Sequence, residues 1–163
     1  MTNQANTKNF IDIVNQSYRD ACFDALTNYQ ALEDLLKSCI FRSHEIIDKT
    51  SHKKVTYNPP DCQIKDINFD NKGLWGLADA FEKITPHKEL CKQIKKSAKT
   101  RNELAHKAAV KFFKINPSEE EILAMQHKAV DYQKAANESN KLYLELVNIY
   151  QELLEIYGES ETT

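Results

Sequence analysis

Between Ile11 and Ile40 apolar residues return at steps of three and four: Ile11, Val14, Tyr18, Cys22, Ala25, Tyr29, Leu32, Leu36 and Ile40, with Ile47 one longer step beyond. That spacing gathers the side chains on one stripe of an α-helix, whereas a strand would scatter them over both faces. The segment from about Asn9 to Asp48 is therefore predicted to be one long amphipathic helix. Unbroken, it would extend about 60 Å at 1.5 Å per residue, so a kink or a break near Cys39 to Ser43 is allowed for.

The remainder of the chain agrees with a helical reading. Its 163 residues contain only 3 glycines and 4 prolines, and long stretches of Leu, Ala, Glu, Lys and Gln favour helices over strands. The expected class is all-α, an up-and-down helical bundle of about four to five helices forming a single domain over 1–163. The periodicity stops over 50–72, where SHKKVTYNPPDCQIKDINFDNKG carries Pro59-Pro60 and several turn residues. A long loop is expected there, either an excursion or a functional flap, with a short hairpin from Val55-Thr56-Tyr57 and Ile64 to Phe69 as one form it could take.

A short helix is predicted from Leu74 to Ile84, with Leu74, Leu77, Ala78 and Phe81 on one side and Pro86 as its boundary. Trp75 is read as a core residue in preference to a base-stacking one. The next helix, about Lys88 to Phe113, presents Leu90, Ile94, Ala98, Arg101, Ala105, Ala108 and Phe112 along one face, so an arginine stands where a core residue belongs. Ser118 and Glu121 have capping-box spacing, and Glu119, Glu120 and Glu121 suit the positive end of the helix dipole. The last helix is predicted from about Glu119 to Tyr157, ending at Gly158, with 159–163 frayed. It carries two apolar rows near its end, Leu142, Leu146, Ile149, Leu153 and Ile156 beside Tyr143, Val147, Tyr150, Leu154 and Tyr157. Gln126, Gln133, Asn137 and Asn140 interrupt the pattern earlier, placing that part along solvent, a cleft or another subunit.

Charge is strongly segregated. Over 88–114 nine cations, Lys88, Lys92, Lys95, Lys96, Lys99, Arg101, Lys107, Lys111 and Lys114, face only Glu89 and Glu103, nine minus two or +7. With a formal net charge of -2, the rest of the chain carries -9. A basic stripe on an acidic body points to a polyanionic partner such as RNA, although the acidic last helix could serve instead.

The polar N-terminus has no signal-peptide core and no apolar run is long enough to span a membrane, so a cytoplasmic protein with no membrane partner is expected. Cys22, Cys39, Cys62 and Cys91 are far apart, which indicates neither zinc nor a disulfide framework. No glycine-rich phosphate loop or H-E-x-x-H motif is present, so no cofactor and no metal are expected.

Within the basic helix lies TRNELAH, residues 100–106. On a helix Asn102 and His106 stand one turn apart, and Arg101 is long enough to reach the same space. Arginine offers a fork of donors matched to phosphate, histidine exchanges protons near neutrality, and asparagine can orient either one. Cleavage of RNA by its own 2′-hydroxyl needs such groups and no metal.

Arg101-Asn102-x-x-x-His106 resembles the R-x4-6-H motif of the HEPN superfamily, whose polar residue after the arginine is often Asn. The resemblance extends to the order of elements: long helix, loop, short helix, motif helix, closing helix. It implies a homodimer or heterodimer whose motif helices face one another across a composite cleft, forming a ribonuclease that leaves a 2′,3′-cyclic phosphate and a 5′-hydroxyl. Carried over by position, Arg101 would stabilise the phosphate, His106 would transfer protons and Asn102 would orient. Lys95, Lys99 and Lys107 would meet RNA. A toxin or anti-phage setting, with an antitoxin or regulatory protein as partner, belongs to the same resemblance. Ala108 stands where some HEPN toxins carry a modifiable tyrosine, so that form of control is not expected here. Two rival readings stand beside it: a regulatory module that binds RNA without cutting it, and a helical scaffold in which Arg101 and His106 cap a buried polar network.

Overall fold

The computed structural model describes residues 2–53, 72–108 and 118–161, with side chains described over 9–50, 72–106 and 118–158. The protein is all-α, a helical bundle built from α1 (Thr2–Lys53), α2 (Leu74–Ile84), α3 (Lys88–Glu103), a π-helical stretch over Leu104–Ala108, and α4 (Glu119–Glu161). No strand occurs among the described residues, and the hairpin considered for 55–69 lies outside them.

The chain divides into two compact units, one formed by Met1–Gln30 with Ser97–Lys141 and the other by Ala31–Lys96 with Leu142–Thr163. Helices α1, α3 and α4 each contribute to both.

The first unit has a core of small and aromatic side chains. From α1 come Val14, Tyr18, Ala21, Cys22, Ala25 and Tyr29, and from α4 Ile122, Met125, Ala129, Tyr132, Ala135 and Ala136, with Ala98 and Leu104 between. Tyr18 and Tyr132 pack with ring centroids 5.7 Å apart and planes tilted by 49°, a favourable geometry for opposed ring quadrupoles. Asn28 Nδ2 donates to the Ala136 carbonyl at 3.0 Å. The order of these pairs, 18 with 132 and 28 with 136, shows that α1 and α4 run in the same direction here. In contrast, α3 runs against α4, because Ser97 and Glu138 both flank Tyr29 while Glu103 meets Lys128.

Larger aliphatic side chains fill the second unit: Leu32, Leu36 and Ile40 from α1, Leu74, Leu77 and Phe81 from α2, Leu90 and Ile94 from α3, and Leu142, Leu146 and Ile149 from α4. The α2 face predicted from the sequence is the buried face observed. Beyond α2, Thr85 N–H donates to the Phe81 carbonyl at 3.1 Å and Thr85 Oγ1 accepts from His87 N–H at 3.3 Å, so the turn through Pro86 keeps its backbone groups paired. The Tyr157 ring lies beneath two cations, Arg42 at 4.3 Å and Lys49 at 3.4 Å from its centroid.

Five expectations are corrected. No break occurs near Cys39 to Ser43, since α1 continues to Lys53 and Ser43 Oγ donates to the Cys39 carbonyl inside the helix at 2.8 Å. Trp75 is 56% exposed, turned outward by the face that Leu74, Leu77 and Phe81 set, and Ile47, although on the same face of α1 as Leu36 and Ile40, is 40% exposed. Gly158 does not end α4, which runs on to Glu161; a glycine stops a helix only where the chain takes up a left-handed conformation after it. Regular α3 ends at Glu103 and gives way to the π-helical stretch.

Candidate nucleic-acid interface

The motif stands at this change of helix type. Arg101 occupies the last turn of α3, directly before the π-helical stretch. Its Nη1 donates to Asn102 Oδ1 at 3.4 Å, a long bond between neighbours that keeps both polar ends together. Arg101 is half-buried, while Asn102 and His106 are exposed. His106 falls in the middle of Leu104–Ala108, where the turn is wider than in an α-helix; π turns often accompany functional sites.

Leu104 explains how the motif is held. It is buried and anchors the end of the helix in the first unit, while Ala105, expected on the core face, is exposed. Behind the motif, Lys128 Nζ donates to Glu103 Oε1 at 3.1 Å, tying the end of α3 to α4. The Glu103 carboxylate holds the Lys128 ammonium above its ordinary pKa, chiefly through this hydrogen bond. The capping box is formed as predicted: Ser118 N–H donates to Glu121 Oε2 at 2.9 Å and Glu121 N–H to Ser118 Oγ at 3.3 Å.

The basic stripe divides between the units. In the second unit Lys95 Nζ lies 2.8 Å from Asp79 Oδ1 and 2.6 Å from Glu82 Oε2, with the Trp75 ring centroid 5.1 Å away. Hydrogen bonds from Lys95, and then from Lys83, hold the Asp79 carboxyl below its ordinary range, and the same carboxylates raise the Lys95 ammonium. Two carboxylates of α2 thus already occupy the position a phosphate would take on Lys95. Lys92 pairs with Glu89 on its own helix at 3.5 Å. Lys96 and Lys99 are exposed, and Lys99, Arg101, Asn102 and His106 fall together in the first unit. The side chain of Lys107 lies outside the described residues.

Sequence reading missed the partners of Lys95, because Asp79 and Glu82 sit 16 and 13 residues away on another helix. No group of three or more His, Cys, Asp or Glu side chains able to hold a metal occurs among the described residues. No helix among them is long and apolar enough to cross a membrane. Comparison with family models, with curated proteins and with solved structures returns no match.

Proposed function

We propose that the chain is a HEPN-like endoribonuclease in which Arg101 and His106 act on the phosphodiester and Asn102 orients them. One observation carries this reading: a guanidinium, a carboxamide and an imidazole fall within six residues, at a helix distortion in the first unit, with the amide and imidazole open to solvent. In the proposed reaction the 2′-oxygen of RNA attacks the adjacent phosphorus and the bond to the 5′-oxygen breaks. His106 transfers protons between these oxygens, and Arg101 balances charge on the phosphoryl oxygens. The products are a 2′,3′-cyclic phosphate and a 5′-hydroxyl. Lys99 would meet a neighbouring phosphate, a second copy would supply the facing motif, and the cellular setting would be a toxin or defence system.

The test is incubation of the purified protein with RNA in EDTA, beside Arg101→Ala and His106→Ala. The expected result is cyclic-phosphate product from the wild type and a rate loss of about 10²–10⁴ in His106→Ala, the usual contribution of a positioned acid or base. Both substitutions replace side chains that are not buried, so melting temperatures should stay close to that of the wild type. Binding without cleavage would favour the regulatory reading, and neither would leave a helical scaffold.

A further inference from the structure

Arg101 and His106 lie five residues apart. At about 100° per residue, an α-helix would turn two such side chains about 140° away from one another. The chain between them is not α-helical throughout, because Leu104–Ala108 is π-helical. Bonds from i to i+5 enclose more of the chain in each turn and rotate each residue by less. His106 therefore swings back toward the side from which Arg101 projects, and further into line with Asn102. The wider turn lets a guanidinium and an imidazole at this spacing approach one space.

A π turn is rare, and this one is held at its start on two consecutive residues. Leu104 is buried. Glu103, the last residue of α3, accepts at Oε1 from Lys128 Nζ of α4 at 3.1 Å. Lys128 is braced in turn: its ammonium lies 5.8 Å from the centroid of the Tyr132 ring, which is buried and packs on Tyr18. Ion pairs with this much exposure, 33% for the Glu103 side chain and 38% for that of Lys128, contribute little to stability. What the pair fixes is direction, since Asn102 precedes Glu103 and His106 follows it within one turn.

We infer that Lys128 and Glu103 are positioning residues for the motif: by fastening the point at which the helix widens, they set where the His106 imidazole points relative to Arg101 and Asn102. Lys128 does so without meeting RNA, because Glu103 already engages its ammonium. The consequence for cleavage rests on the ribonuclease reading, while the placement of the imidazole does not.

The test compares Lys128→Met with Lys128→Arg, which keeps the cation. In Lys128→Met the ring resonances of His106, assigned by their loss in His106→Ala, are expected to move and kcat on RNA to fall by about 10–10². KM, the salt dependence of RNA affinity and helicity by circular dichroism should stay near wild type. Lys128→Arg should preserve all of these. Adding Glu103→Ala to Lys128→Met should lower kcat little further, because two residues that act as a pair cannot be lost twice. Resonances that move in a protein that leaves RNA intact would support the positioning and count against the ribonuclease reading alone. Resonances that stay in place in Lys128→Met would overturn the inference. So would a raised KM or a shallower salt dependence with kcat unchanged, the signature of a lysine that meets phosphate.

Discussion

The two units use the same helices for different purposes. In the second, Leu, Ile and Phe side chains from four helical segments close over one another, and Asp79 and Glu82 neutralise Lys95. In the first, alanines and three tyrosines make up much of the core, the α3 end departs from α-geometry, and polar residues at the motif and along α4 face solvent. A core of small side chains buries less apolar surface per residue and so contributes less stability. The comparison teaches that the polar motif stands where packing is lightest, and that the heavier packing stands elsewhere along the same helices.

The contrast breaks most visibly under truncation. Phe81→Ala in the second unit removes a fully buried ring and is expected to cost about 3–5 kcal/mol in denaturant unfolding. Ala129→Gly in the first, a helix-interior change at a small buried position, should cost about 1 kcal/mol. Equal losses would mean that the cores do not differ in the way described.

Alkaline pH offers a finer separation. Burial pushes the Cys39 thiol up to about 12 from 9.0 and the Cys91 thiol up to about 11, and pushes the Tyr29 phenol in the first unit up to about 12 from 10.0. In each case the unfolded chain releases its proton first, so stability is full below the unfolded value and falls as pH rises toward the folded one. Unfolding midpoints should decline from about pH 9 through the thiols and more steeply from about pH 10 through Tyr29. Cys39→Ala should flatten the earlier part of the decline and Tyr29→Phe the later part. A midpoint independent of pH between 9 and 12 would contradict the burial of all three groups.

The smallest effect separates the lysines that would meet RNA under the proposed function. Lys99→Ala is expected to lower the slope of log affinity against log salt by about one, whereas Lys95→Ala should leave it nearly unchanged because Asp79 and Glu82 already hold that ammonium. If Lys95→Ala alone reduces the slope, the acidic pair must release it on binding, and the division of the stripe between the two units fails.

Much of the architecture was legible in the chain itself. The three-and-four spacing in α1 anticipated the buried row from Val14 to Ile40, α2 buried its expected face, and Ser118 and Glu121 paired as their spacing required. Local rules succeed at such places because partner and periodicity lie within one or two turns. The same rules misjudged Trp75, whose size suggested core although its helix turns it outward. They also carried the basic helix smoothly through Leu104, where no proline or glycine announces a change of turn.

By itself the sequence determined an all-α chain, the faces its helices bury, the capping box that starts α4, and the close grouping of Arg101, Asn102 and His106. Tertiary structure alone decided that α1 and α4 run the same way in the first unit, that Lys95 is neutralised by α2, and that Leu104 anchors the motif end. The reason is range: helix formation and amphipathic pattern are set by neighbours three or four residues away, whereas charge pairing and exposure depend on which distant segment arrives opposite, and nothing in local spacing encodes that arrival.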